Sequence, residues 1–329
     1  MDILVTVPEG ELRETFFPER LRERLGSLGT VTWVDSAENL TESELRDHIP
    51  GVDVLVTGWG SPRVTADVLE AADDLALVAH TGGSVASLVS EAVYDAGVRV
   101  VSANDRMAEF TAEHAFALIL SELRAVPTLD RNMGFGEWDA DDVDIRSLYG
   151  TDIGLVGLGT VGRELLEYLA PFDVSVSVYD PYLDADDLAD VPYAELTDLD
   201  TALSSSIVTV HAARTEETVG MIDADRLAQV PDEALFVNTA RAELVDEDAL
   251  MAELEDERFR CALDVYHEEP LPPEADLRQF DDVLLTPHVG GSQIRPPLTE
   301  AVLDDIERFQ RDDPLEGAIP REQWETMTR

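Results

Sequence analysis

Two stretches of this chain hold residues whose types and spacing can do chemistry. In LLTPHVGGSQ (284–293) a short apolar run meets a proline, and His288 stands just before two glycines. Leu284 and Leu285 read as the end of a buried strand, and Pro287 pushes Thr286 into an extended conformation, so the chain leaves the sheet with His288 at its edge. An imidazole in that place either packs or carries protons. The second stretch, DIGLVGLGTVGRELLEYLAPFDVSVSVYDPY, spaces Gly157, Gly159 and Gly162 as G-x-G-x-x-G. It follows an apolar strand (Ile153–Val156) and opens a helix (Val161–Leu169), with Thr160, Val161 and Gly162 at the turn into that helix as further candidate contacts. A second apolar strand then ends in Asp180. Glycines in that setting let a backbone approach a pyrophosphate at a helix N-terminus, and the acid accepts from ribose hydroxyls. The fingerprint therefore predicts a bound dinucleotide. Asp180 is followed by Pro181 and Tyr182, with no arginine for a 2′-phosphate, so NAD is expected in preference to NADP.

The elements that position these residues show a repeating rhythm. Residues 1–102 alternate short apolar runs (ILVTV, VTWV, DVLVTG, LALVAH, VRVVSA) with amphipathic segments such as ESELRDHI and TADVLEAA, which reads as strand, helix, strand and a parallel sheet. A long helix begins at MAEFTAEHAFALILSEL (107–123). NMGFGEWDADDVDIRSLYG (132–150) is irregular, carries Trp138, and needs a surface to lie on. The rhythm restarts at TDIGLVGLG and runs to VLLTPH. The tail from 290 holds one amphipathic helix and a polar end. The expected class is α/β, with two Rossmann-like domains, each built on a parallel sheet. The first domain comprises 1–102 with 290–329. The second, 103–289, would bind the dinucleotide and include an arm at about 124–150.

Composition narrows the partners. The 329 residues carry 70 acidic against 23 basic side chains, for a net charge of −47, and every basic residue is arginine. Such a charge repels itself in dilute buffer, but at ~1 M salt the Debye length is about 3 Å and the repulsion is screened. A salt-rich cytoplasm is the setting this composition suits. Nucleic acid and anionic membrane are disfavoured as partners. The first residues, MDILVTVPEGE, read as a strand without a basic leader, and no long uninterrupted apolar run occurs, so a soluble cytoplasmic protein is expected. Cys261 is the one cysteine, and no pair of histidines has metal-ligand spacing with acids or cysteines, so no metal is expected.

AEHAFALIL (112–120), the glycine fingerprint, ALFVNTARAELVDEDAL (234–250), CALDVYHEEPLP (261–272) and VLLTPHVGGS (283–292) occur in that order. Together they resemble the D-isomer-specific 2-hydroxyacid dehydrogenase family, over nearly the whole chain and most strongly from about 150 to 292. The resemblance implies a catalytic set of Arg241, Glu269 and His288. Arg241 would offer a planar fork to the carboxylate and carbonyl oxygens of a 2-oxo acid. His288 would exchange a proton with the carbonyl oxygen, and Glu269 would orient the imidazole and offset its charge. Glu269 is chosen over Glu268 because it directly precedes Pro270. A surface pairing of Arg241 with Glu243 or Asp246 is the alternative. The implied cofactor contacts extend to Thr239, Ala240, Asp264, which would hold the nicotinamide carboxamide or otherwise form a buried turn, and Gly290. His211 ends a strand bordering the groove, and His114 reads as structural.

The sequence departs from the family at its substrate loop, which here reads HTGGSVASLV (80–89). Gly82, Gly83 and Ser84 could still form an anion-holding nest of backbone N–H groups. Trp59 and His80, at the ends of neighbouring strands, would shape the pocket, which Arg241 and His288 complete. The implied activity is interconversion of a small 2-oxo acid and a D-2-hydroxy acid by a homodimer whose arm carries Trp138, with substrate bound by the first domain and the active site in the cleft between the two domains. A formate- or phosphite-type dehydrogenase is a second enzyme reading, and Glu269 argues against the formate version. A phosphoglycerate dehydrogenase-like enzyme is a third. A different class, an NAD-binding regulatory protein like the corepressors that resemble this family, would bind cofactor without turnover.

Overall fold

A computed structural model describes residues 1–138, 140–291 and 293–328. Asp139 in the expected arm, Ser292 after the paired glycines and Arg329 lie outside the described residues. The chain forms two compact units, Met1–Ala108 with Ser292–Arg329, and Glu109–Gly291. The first break falls inside helix Asn104–Leu123, which starts three residues before the stretch read as helical from sequence.

The first unit holds a parallel sheet of β1 (Asp2–Val5), β2 (Thr30–Trp33), β3 (Val54–Thr57), β4 (Leu77–His80) and β5 (Arg99–Ser102) in the order β2-β1-β3-β4-β5. Strands β3 and β4 are buried along their whole length, as expected where helices cover both faces of a sheet. Local chemistry starts the helices: Thr41 caps Glu42–His48 by accepting from the Glu44 N–H, while the Glu44 carboxylate accepts from the Thr41 N–H. The tail forms helix Arg295–Arg311 and a second helix, Arg321–Thr326, where the sequence had suggested only a polar end. Trp324 explains the second helix. It is buried, packs against Tyr94 at a ring-centroid distance of 5.5 Å, and joins the apolar cluster of Leu45, Val68, Val93 and Ile319.

The second unit holds seven parallel strands: β6 (Asp152–Val156), β7 (Ser175–Tyr179), β8 (Ala194–Leu196), β9 (Ile207–Val210), β10 (Leu235–Asn238), β11 (Arg260–Leu263) and β12 (Val283–Leu285), ordered β12-β11-β10-β9-β6-β7-β8. From β6 the chain adds β7 and β8 on one side, then returns to add β9 to β12 on the other. The reversal lies between β6 and β9, the topological switch point of the sheet. Helix Thr160–Leu169 buries Leu165, Leu166 and Leu169 against Ile153, Leu155 and Val176. At ~1.5–3 kcal/mol for each fully buried leucine, this apolar face holds the glycine loop rigidly at the switch point. Between 135 and 151 the described chain forms no helix or strand, and Phe135, Trp138 and Tyr149 are largely exposed.

Candidate functional site

In the second unit each residue singled out for chemistry follows the carboxyl end of a strand. Gly157 follows β6, Asp180 follows β7, His211 follows β9, Thr239, Ala240 and Arg241 follow β10, Asp264 follows β11, and Thr286 and His288 follow β12. Parallel strands all end on one edge, so a parallel sheet gathers residues far apart in sequence without further machinery.

The glycines fill three distinct roles. Gly157 has φ +94°, and a Cβ there would lie 2.5 Å from the backbone of Ala212 at the exit of β9. Gly162 lets the helix sit on β6, since its Cβ would come 2.6 Å from the Gly157 carbonyl oxygen. Gly159 faces open space, is exposed, and precedes a helix start with no side-chain cap. Two glycines thus serve the protein's own packing and one clears room for a ligand. The Asp180 carboxylate accepts from the Leu158 N–H at 2.9 Å and the Tyr182 N–H at 3.1 Å, which fixes it beside the glycine loop. His211 Nε2 lies 2.8 Å from Thr209 Oγ1, and burial pushes the imidazole down to about 4, so the ring is neutral. Thr239 is buried, and among the described residues its hydroxyl has no partner. Such an orphan at a strand end is what a bound polar group would satisfy. Open space at Gly159, the fixed acid Asp180 and the unpaired Thr239 hydroxyl all fit a dinucleotide.

His288 Nδ1 lies 2.7 Å from Glu269 Oε2, with both side chains a little over one-third exposed. Glu269 Oε1 accepts from the Tyr266 N–H at 3.0 Å, so both carboxylate oxygens are engaged. His288 itself has φ +50° and donates its backbone N–H to the Thr286 carbonyl at 3.1 Å, a turn tight around Pro287. A left-handed conformation in a residue with a Cβ costs about 1–2 kcal/mol and persists where surrounding contacts over-determine it. Arg241 donates Nη1–H to the Ala240 carbonyl at 2.6 Å. Burial pulls its guanidinium below the usual range, Glu243 and Glu269 pull it up, and Arg214 pulls it down.

The Asp264 carboxylate is buried, and among the described residues it meets the loop after β12. It accepts from Thr286 Oγ1 at 2.6 Å, the Val289 N–H at 3.0 Å and the Gly290 N–H at 2.9 Å. Burial raises its pKa, the bonds from His114, Thr286, Val289 and Gly290 together outweigh that effect, and the net direction is down. His114, read as structural from sequence, places Nε2 3.0 Å from Thr286 Oγ1. Two contributors were missed. Asn238 donates Nδ2–H to the Arg241 carbonyl at 2.9 Å and accepts from the Ala240 N–H at 3.0 Å, an Asx-type brace that the N-T-A-R order offers as a signal. Tyr266 places its hydroxyl 2.8 Å from the Thr286 carbonyl oxygen, and nothing in the sequence marks that reach.

In the first unit, Trp59 and His80 flank Gly82 so closely that a Cβ there would lie 2.5 Å from His80 Nε2 and 2.9 Å from Trp59 Nε1. Burial pushes His80 down to about 4, and its Nδ1 sits 3.0 Å from Thr57 Oγ1. Among the described residues the N–H groups of Gly82, Gly83 and Ser84 meet no acceptor. The Ser84 hydroxyl donates to the Thr328 carbonyl at 2.7 Å, so that side chain is committed to the C-terminal segment. Among the described residues no group of three His, Cys, Asp or Glu side chains could hold a metal ion, and no helix is long and apolar enough to cross a membrane.

Residues 116–290 match the family model for the D-isomer specific 2-hydroxyacid dehydrogenase NAD binding domain. A D-3-phosphoglycerate dehydrogenase of Archaeoglobus fulgidus is 32% identical over 290 residues, 87% of this chain and 55% of that protein. This chain therefore spans little more than half the length of that relative. A hydroxypyruvate reductase of Thermotoga maritima is 32% identical over 261 residues, 78% of this chain and 84% of that protein. Among solved structures, a phosphoglycerate oxidoreductase from Rhizobium etli superposes with a TM-score of 0.81 at 25% identity, covering 98% of this chain and 99% of that one.

Proposed function

Because the chain belongs to the D-isomer specific 2-hydroxyacid dehydrogenase family, we propose that it interconverts a small 2-oxo acid and its D-2-hydroxy acid with a nicotinamide dinucleotide as redox partner. The observation that carries this reading is the 2.7 Å bond between His288 Nδ1 and Glu269 Oε2. With Nδ1–H donated to the carboxylate, the proton exchanged with substrate is assigned to Nε2. In reduction Nε2 gives its proton to the carbonyl oxygen, and in oxidation it takes the hydroxyl proton back. Glu269 holds the ring in that tautomer and offsets its positive charge. Arg241 stays cationic and presents a fork to the substrate's carboxylate and carbonyl oxygens.

The dinucleotide would lie on Gly157, Gly159, Thr160, Val161 and Gly162, with Asp180 at the adenosine ribose and His211, Thr239, Ala240, Asp264 and Gly290 toward the nicotinamide. Bound there, it supplies or accepts the hydride, so the chain's own task is placement and proton transfer. The Asp180 carboxylate repels a 2′-phosphate, which favours NAD over NADP. The unpaired N–H groups of Gly82, Gly83 and Ser84 are a proposed seat for the substrate carboxylate, with Trp59 and His80 beside it. The exposed side chains of Val126, Met133, Phe135, Trp138 and Tyr149 support a homodimer built on the arm. Trp138→Arg should then halve the mass measured by light scattering.

The test is oxidation of NADH in ~2–3 M KCl, a level set by the screening argument, against glyoxylate, hydroxypyruvate, pyruvate, phenylpyruvate and 2-oxoisocaproate. Turnover of one of these, lowered about 10²–10⁴-fold by His288→Ala, is expected. Silence across the panel with NADH still bound would favour a cofactor-sensing protein. A second reading, oxidation of a phosphorylated hydroxy acid, is favoured by the Archaeoglobus relative, and adding 3-phosphohydroxypyruvate to the panel separates the two.

A further inference from the structure

We propose that His114 is a positioning residue for the proposed reaction, the first member of a one-way hydrogen-bond chain that holds the His288 loop through Thr286 and Asp264. This rests on the function proposed above for His288. The direction of the chain follows from counting protons. Asp264 is ionised, because the bonds it accepts outweigh its burial, and it has no proton to give. Thr286 Oγ1, 2.6 Å away, therefore donates its single proton to Asp264 Oδ1. With that proton spent, Thr286 Oγ1 faces His114 as an acceptor, and His114 Nε2, at 3.0 Å, must carry a hydrogen. The same Nε2 lies 3.5 Å from Asp264 Oδ1, so its N–H leans on the carboxylate as well as on the hydroxyl.

The far end of the chain is the loop that presents His288. Asp264 also receives the Val289 and Gly290 N–H groups, which pins the two residues after His288 from the inside. Thr286, the residue before Pro287, is held by its side chain, and its carbonyl accepts from both the His288 N–H and the Tyr266 hydroxyl. The left-handed backbone at His288 is thus clamped on both sides by groups that converge on Asp264 and Tyr266. Gly290 fits the same arrangement, since a Cβ there would meet Asp264 Oδ2 at 3.1 Å, His114 Cδ2 at 3.5 Å and Thr111 Cγ2 at 3.6 Å. His114 is only about one-fifth exposed, so water is a poor substitute donor for its Nε2–H. Losing that donor leaves Thr286 free to turn its hydroxyl away from Asp264, and the loop loses a restraint next to the residue that must meet the substrate oxygen.

Two measurements on the full chain test this. Nitrogen-15 NMR of the imidazoles should show a proton on His114 Nε2, and Thr286→Val should perturb that signal; a bare Nε2 would overturn the chain. In kinetics, His114→Leu should lower kcat about 10-fold or more while KM for the acid moves less than about threefold, as for a displaced rather than a deleted proton carrier. His114→Gln, whose amide nitrogen reaches the Nε2 position, should recover most of that loss. The double variant His114→Leu/Thr286→Val should be no worse than the poorer single one, because both act through one carboxylate. Additive losses, or equal activity of the Leu and Gln variants, would overturn the proposal. If the wild-type chain turns over no 2-oxo acid, the function proposed above fails, and the His114 tautomer still decides the chain.

Discussion

His288, marked in sequence by the proline before it and the paired glycines after it, is distinctive in space as well. Its backbone is left-handed, its N–H closes a turn onto Thr286, and its ring is bonded to Glu269. Glu269→Gln keeps the shape and one acceptor oxygen but removes the charge that offsets the imidazolium. We expect kcat to fall about 10²-fold at saturating cofactor with little change in NADH binding, checked by steady-state rates and by fluorescence titration. His80 makes a different prediction. Burial pushes it down to about 4 from its ordinary 6.5, so above pH 6.5 neither the folded nor the unfolded chain is charged there. Between 6.5 and about 4 only the unfolded chain takes up the proton, and stability falls through that window as pH drops. In concentrated KCl, unfolding midpoints measured across this range should decline less in His80→Gln than in wild type. Equal declines would mean that His80 reaches water in the folded protein.

At the scale of elements, the glycine loop separates binding from folding. Gly162→Ala drives a Cβ to 2.6 Å from the Gly157 carbonyl oxygen, so the helix must lift off β6 and the midpoint of unfolding should drop. Gly159→Ala meets nothing within the protein and should unfold like wild type, yet weaken NADH binding about 10-fold or more, because the added methyl stands where a pyrophosphate approaches. Equal binding by both variants would remove the dinucleotide from this loop. The strands and their parallel sense were accessible to sequence reasoning because a strand of a buried parallel sheet is a short apolar run, and the fingerprint marks β6, whereas the order of the strands came only with the structure. His288 stood out by following such a run, and Arg241 and Asp264 through the family resemblance of the stretches that hold them. What stayed hidden was carried by contacts across elements: Asn238 bracing its own turn, the Tyr266 hydroxyl reaching the Thr286 carbonyl, His114 on a helix facing that same threonine. The helix Arg321–Thr326 stayed hidden for a related reason, since its one anchoring residue, Trp324, sits in an otherwise polar segment whose periodicity is too short to register.

For the whole molecule the decisive quantity is charge. Seventy acidic side chains against 23 arginines leave −47, far more than ion pairing can neutralise. The arginines are shared: Arg258 lies 2.9 Å from Asp232 and 2.5 Å from Glu253, and Arg24 lies 2.5 Å from Asp304 and 2.7 Å from Glu307. Each such arginine draws two carboxylates together, and exposed pairs of this kind are worth about 0–1 kcal/mol. Salt weakens those attractions and the general repulsion alike, so the sign of the salt effect depends on which is larger. With most acids lacking a cation of their own, repulsion is larger. At ~0.01 M salt the Debye length, about 30 Å, spans most of a domain, and every carboxylate feels the others; at ~1 M it is about 3 Å, and only contacting pairs remain. The temperature of unfolding should therefore rise steeply between ~0.05 and ~2 M KCl, and sucrose at equal osmolality, which screens nothing, should not replace the salt. A midpoint that falls with KCl would show that the shared arginines, rather than the unpaired acids, set the balance.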